Sequence, residues 1–206
     1  KNIGGIEFYS GTLQGKDVVL LKSGVGKVNA AMATDILIRE FKAEKIIFTG
    51  VAGAVNNKLN VGDVVISTDL AEHDFDTTAF GEKPGNVPGS DNGRFYADQS
   101  LISLAEASAQ KVLGKTHVFK GTIVTGDQFI ADKAKVRVLE DTFGAWAVEM
   151  EGASVAHVAT LYKVPFVIIR AISDKADGSA HVTYDEFSNK AAENSIKIVN
   201  EMLKKM

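Results

Sequence analysis

The sequence predicts an α/β fold layered around a largely parallel or mixed central β-sheet. Three observations predict it. Apolar strand-like runs alternate with helix-like runs through most of the 206 residues. Two of those runs, around 46–49 and 165–172, are apolar without alternation, as in strands covered on both faces. The β-rich pieces gather near the front of the chain. No internal repeat, linker or boundary interrupts the pattern, so residues 1–206 read as one domain.

The elements follow in order. Residues 6–10 and 18–22 are β-rich, with Gly11 and Gly15 assigned to the turn between them, which predicts a hairpin. Ser23-Gly24-Val25-Gly26-Lys27 precedes a helix over about 28–42, with Ala31, Ile36 and Ile38 among its apolar positions. Residues 45–49 read as a buried parallel strand that ends in Gly50-Val51-Ala52-Gly53-Ala54. GDVVISTD (62–69) is a further strand. Residues 75–95 carry Gly81, Pro84, Gly85, Pro88 and Gly89 and read as a long loop, a length that is usually functional. A helix is expected over 101–112, a strand over 118–125 and a short charged helix over 132–142. A strand over 145–148 runs into Glu149-Met150-Glu151 and a helix to about Tyr162. PFVIIRAI (165–172) is the most apolar strand and ends at Ser173-Asp174. Thr183 and Glu186 have capping-box spacing and are expected to open the last helix.

Composition narrows the function. With 45% hydrophobic and 24% charged residues, 19 Gly and 3 Pro, collagen-like and disordered readings fall away. A chain this long can bury ~70% of its unfolded surface. The net charge is −3 and no Lys/Arg stripe forms, so nucleic acid has no electrostatic footing. The absence of cysteine removes disulfides, thiolate metal sites and Cys nucleophiles, and suits a reducing cytoplasm. No apolar run approaches the ~18 residues that span a bilayer, and the first residues lack a signal-peptide core. His73, His117, His157 and His181 have no metal-ligand spacing, so neither metal nor cofactor is expected.

In open α/β sheets ligands bind beyond the carboxyl ends of strands. Small or polar residues mark four such ends: Val51, Ala52 and Gly53; Gly126 to Phe129; Val148 to Glu151; and Ser173-Asp174. Gly24-x-Gly26 and Gly50-x-x-Gly53 read either as tight turns or as backbone N–H groups aimed at an anion or a ribose. Neither is a complete dinucleotide or P-loop motif. Glu149 and Glu151, if still extended, share a face and can accept from a vicinal diol; the alternative is acidic preference for a helix start. Asp174 reads as a cap or as a general acid in an apolar setting. Arg170 reads as a structural ion-pair partner, and Phe129 as core or as a ring that stacks on a flat ligand.

Taken together, these stretches resemble the bacterial 5′-methylthioadenosine/S-adenosylhomocysteine nucleosidases of the nucleoside phosphorylase superfamily. The matching pieces are LKSGVGKVNAA (21–31), FTGVAGA (48–54), LNVGDVVIS (59–67), TAFG (78–81), TGDQFI (125–130), AVEMEGASVAHVA (147–159), VPFVIIRAISDKAD (164–177) and TYDEF (183–187). They cover nearly the whole chain, and AVEME with RAISDxAD is highly specific. The resemblance implies a three-layer α/β/α, nucleoside phosphorylase-like fold with a mixed central sheet. It implies hydrolysis of the N-ribosidic bond of an adenine thionucleoside to adenine and a 5-thioribose. By the same resemblance Asp174 protonates adenine N7 with Ser173 beside it. Phe129 stacks on adenine, and the backbone of Ile130 reads its edge. Met150 and Glu151 contact the ribose, with Glu149 nearby. Val25 and Tyr184 wall the sugar and its 5′ substituent. Phe80 and Pro88 reach the neighbouring site in a homodimer.

Two features depart from the family pattern. Members usually begin with a strand and a G-x-x-x-A-M-x-x-E segment whose glutamate handles the attacking water; nothing of that type precedes Ile3. The expectation is a chain with the acid half of the machinery and without the water-activating half, a loss worth ~10²–10⁴-fold. Val51 stands where the family often has serine. Two other readings remain at this point: phosphorolysis, which needs arginines near the glycine loops where 48–56 has none, and a non-catalytic nucleoside-binding member.

Overall fold

A computed structural model of the chain describes residues 1–176 and 180–206, with only the backbone for 180–186 and 188. Strands β1 (Asn2–Ile3), β2 (Ile6–Leu13) and β3 (Lys16–Leu21) form a small antiparallel sheet. Leu13 pairs with Lys16, so the hairpin turn is Gln14-Gly15, with φ of 52° and 74°. Two consecutive left-handed residues give the turn whose twist matches the flanking strands. Gly11 is therefore in strand β2 opposite Val18, and not in the turn as the sequence suggested. Ile6 and Phe8 pack this sheet on α1 (Lys27–Phe41), where Phe8 stacks on Phe41 at 4.9 Å.

The main sheet holds β4 (Ile46–Ala54), β5 (Val64–Glu72), β6 (Phe95–Tyr96), β7 (Val118–Thr125), β8 (Ala145–Glu149) and β9 (Phe166–Asp174) in the order β6-β5-β7-β8-β4-β9. β5 also pairs antiparallel with β9 at residues 64–66, so five of the strands close on themselves. The helices are α1, α2 (Gln99–Leu113), α3 (Lys133–Phe143), α4 (Gly152–Tyr162) and α5 (Ala180–Lys205). Successive residues of β9 face opposite ways: Ile168 and Ile172 join the core beneath α1 and α4, while Val167, Ile169 and Ala171 join that beneath α2 and α5. Both faces are apolar because both are covered, which produces three layers and the absence of alternation in the sequence.

Helix starts are set by local chemistry. Asp98 caps α2 through the Leu101 N–H and Asp132 caps α3 through the Ala134 N–H. The last helix starts at Ala180, upstream of the start expected at Thr183; the side chains of Thr183 and Glu186 lie outside the described residues. Among the described residues no helix is long and apolar enough to cross a membrane. Within the 75–95 loop, residues 78–80 wind into a single 3₁₀ turn.

Candidate active site

β5, β7 and β8 run parallel to one another, and β4 and β9 run parallel to each other. β4 meets β8 antiparallel, and only through Gly53 opposite Val148 and Ala54 opposite Ala147. The two sets of strands thus approach from opposite sides and meet by their carboxyl ends. Across that meeting line Asp174 is level with Gly53, Gly53 with Val148, Glu149 with Thr125, and Thr125 with Glu72. The strand ends singled out in the sequence are brought together, with one correction. Val51, Ala52 and Gly53 are inside β4, which continues to Ala54 instead of ending before Gly50.

Gly50 explains why that glycine run is strand and not turn. It lies level with Arg170, and a Cβ there would come within 1.7 Å of Arg170 Nη1. The glycine leaves room for a guanidinium that is only 3% exposed. Arg170 pairs with Glu149 and lies 3.6 Å from Glu151 Oε2, with its Cζ 4.5 Å from the centre of the Phe48 ring. Glu149 also accepts from Thr125 Oγ1, from the Glu151 N–H at 3.0 Å and from the Gly152 N–H at 2.7 Å. Both oxygens are thereby engaged inside the protein. The resemblance puts Glu149 near the ribose contacts; here its carboxylate holds Arg170 and the N–H groups at the start of α4.

Glu151 is the N-cap of α4, with φ −138° and ψ −37°, and is not extended. Its carboxylate reaches the same centre as Glu149 through Arg170, so the shared-face argument from strand geometry gives way to a helix-start geometry. Oε1 accepts the Gly26 N–H at 2.8 Å. Burial first, and then the neighbouring Glu149 charge, push the Glu151 carboxyl above the usual glutamate range, against the pull of Arg170 and the Gly26 N–H.

Asp174, the last residue of β9, is 3% exposed. Oδ1 accepts the Ala176 N–H at 2.7 Å and Oδ2 accepts the Ser173 hydroxyl at 2.8 Å. Gly53 gives the clearance: a Cβ there would sit 3.0 Å from Asp174 Oδ1 and 2.9 Å from Ala176 Cβ. The carboxyl is held on two sides in a nearly water-free position.

The remaining residues named from the sequence differ in exposure. Ala52 and Val148 are buried; Val25 in the glycine loop and Phe129 after β7 are exposed. Ile130 is buried in a cluster with Val148 and with Ala176, two residues after Asp174. Gly126 N–H donates to the Glu149 carbonyl, which ties the segment carrying Phe129 to β8. Phe80 is 86% exposed on its 3₁₀ turn and Pro88 is exposed on the same loop. The side chain of Tyr184 lies outside the described residues. Arg170 is the structural ion-pair partner the sequence suggested, with Glu149 and Glu151 as its partners, whereas the polar group of Lys27, Glu72, Asp74 and Asp127 escaped the sequence reading. The signal for Arg170 was a single arginine inside the apolar run 165–172.

A family model described as the phosphorylase superfamily matches residues 1–204. A 5′-methylthioadenosine/S-adenosylhomocysteine nucleosidase from Bacillus cereus (strain G9842) is 48% identical over 207 residues, covering 100% of this chain and 89% of its own length. The chain belongs to this nucleosidase family. Its fold agrees: the Neisseria meningitidis nucleosidase, solved in complex with methylthio-immucillin-A, superposes with a TM-score of 0.95 at 45% identity, covering 100% of this chain and 89% of that one. The futalosine hydrolase of Helicobacter pylori strain 26695 is also similar, with a TM-score of 0.93 at 35% identity, covering 100% of this chain and 87% of that one. The expected nucleoside phosphorylase-like, three-layer fold is thus the observed one.

Proposed function

We propose that the chain hydrolyses the N-ribosidic bond of 5′-methylthioadenosine and S-adenosylhomocysteine, with Asp174 as general acid and Glu151 as the ribose-holding carboxylate. The observation that carries this reading is the level alignment of Asp174, Gly53 and Val148, which delivers a sequestered carboxyl to the strand ends that also present Glu151. As C1′–N9 breaks, the electron pair stays with adenine and a proton passes from Asp174 to N7. The sugar becomes electron-poor and adds water at C1′, which loses one proton to bulk solvent, giving the 5-thioribose product. Ionised Glu151 accepts from the 2′ and 3′ hydroxyls and places negative charge beside the developing cation. Arg170, already paired with Glu149, keeps Glu151 in place. Phe129 supplies a face for adenine and the Ile130 backbone its edge contacts.

Phosphorolysis fits less well. The one buried arginine near the glycines is neutralised by Glu149, and 48–56 has no other. Phe80 and Pro88 extend from the long loop as apolar groups suited to a neighbouring subunit's 5′-alkylthio pocket, in a homodimer. A cysteine-free chain suits the cytoplasm, where we place the reaction.

Adenine release from methylthioadenosine with and without phosphate tests the reaction class. Release independent of phosphate is expected; release only with phosphate overturns hydrolysis, and binding without release leaves a non-catalytic binding protein. Asp174→Asn is expected to lose ~10²–10⁴-fold in turnover while ligand binding stays within a few-fold. Near-normal turnover of that variant would remove Asp174 from the acid role.

A further inference from the structure

Lys27, the first residue of α1, is anchored twice. Its backbone N–H donates to Asp127 Oδ1 at 2.8 Å. Its ammonium, with a side chain 21% exposed, lies 2.7 Å from Asp74 Oδ1 and 3.3 Å from Glu72 Oε2. The Asp127 N–H donates in turn to Asp74 Oδ2 at 2.9 Å. The glycine loop, the end of β5 and the segment after β7 are therefore knotted together. His157 Nδ1, 3.1 Å from Glu72 Oε1, extends the knot to α4, and the imidazole stacks on Phe95.

Directly before Lys27, Gly26 donates to Glu151 Oε1. Gly26 has φ 94°, and a Cβ there would lie 3.1 Å from Asp127 Oδ1. The direction of its N–H is thus set by Glu151 on one side and by the Lys27 anchor on the other. Burial alone would raise Glu72 and Asp74; hydrogen bonds to His157 and Lys27, and for Asp74 the Asp127 N–H, bring both below the usual carboxylate range. A neutral side chain at 27 would leave these two carboxylates facing each other across the loop.

We propose that Lys27 is a positioning residue for N-ribosyl hydrolysis: it clamps residues 23–26 to Glu72 and Asp74, and so holds the Gly26 N–H on the carboxylate that grips the sugar hydroxyls. The inference rests on the ribose assignment of Glu151. A lysine that merely stabilised the fold would act in any background; one that works through Glu151 acts only while residue 151 accepts the Gly26 N–H.

A double-mutant cycle on the full chain with methylthioadenosine separates the two. Lys27→Met is expected to lower kcat/KM about tenfold, the scale of a charge-assisted hydrogen bond. Lys27→Arg should recover most of that loss. In a Glu151→Ala background, which has no acceptor for the Gly26 N–H, the added loss from Lys27→Met should be under about twofold. Equal losses in both backgrounds overturn the inference. Should Lys27→Met fail to fold, Asp74→Asn weakens the same clamp and must show the same non-additivity; additive losses there overturn it equally. Glu151→Gln alone reports on the underlying assignment: an unchanged kcat/KM removes Glu151 from the ribose, independently of any Lys27 variant, and the inference falls with it.

Discussion

Glu151 shows how a single residue trades stability for function. Its carboxyl titrates above the ordinary glutamate value in the fold, chiefly through burial and then through Glu149. A carboxyl raised on folding favours the folded state while protonated, so its contribution is complete below pH ~4.5 and is lost as pH rises through the higher folded value. At neutral pH the ionised group is thus a cost to the free protein. Glu151→Gln, which keeps an acceptor for the Gly26 N–H, is expected to raise the melting temperature at pH 7 by a few degrees. That gain should shrink as pH falls through the raised folded value and be gone by pH ~4.5. Activity should follow the opposite course. The acid limb of kcat/KM is expected above pH 4.5, because only the ionised form accepts from both sugar hydroxyls. A melting series in parallel with a pH–rate profile checks both signs. Asp174 and Glu151 were legible in the sequence because each ends an apolar run, where a charge needs a reason to exist. Lys27 was not legible, since its partners are distant along the chain: 45 residues to Glu72, 47 to Asp74 and 100 to Asp127.

Among the elements, β4 carries the clearest lesson. Residues 50–54 look like a turn, because glycine is scarce in strand interiors. The glycines are there for what crosses them: Arg170 at Gly50, and Asp174 with Ala176 at Gly53. Such a requirement comes from the neighbouring strand, so no local pattern in β4 reveals it. Gly50→Ala is expected to displace the Arg170 guanidinium and break its buried pair with Glu149. The cost should be ~3 kcal/mol or more, seen as a fall of ~6 °C or more in melting temperature. A variant that melts like the parent would show that Arg170 can move aside freely. Helices were easier to read. α1 and α3 begin and end within a residue of the expected bounds, as apolar periodicity and the Asp132 cap are both local. β7 was read over its full length, residues 118–125, since it lies between clear stops.

For the whole molecule, α5 and α2 are tied at the surface by Glu201, which lies 2.6 Å from Lys111 Nζ and 2.8 Å from Lys204 Nζ. Those two hydrogen bonds bring its carboxyl down to about 2, from an ordinary 4.5. A carboxyl lowered on folding stabilises above its unfolded value, so this tie acts fully above pH ~4.5 and fades between there and pH 2. Glu201→Gln should lower the melting temperature by about a degree at pH 7, and the difference should vanish near pH 2. At the same scale, Phe80→Ser is expected to weaken both self-association in sedimentation and affinity for 5′-alkylthio substrates, while substrates with a bare 5′ carbon are spared.

The meeting of β4 with β8 through only two residue pairs has a mechanical side. One bank of the sheet carries Asp174, the proposed proton donor, and the other leads to Glu151, the proposed grip on the sugar. A nucleoside held by both is a bolt through that seam, and its two halves, base and sugar, are what catalysis must pull apart. Tight binding and bank-to-bank rigidity are then one property, and amide exchange at Gly53 and Ala54 should slow most when a ligand spans the gap.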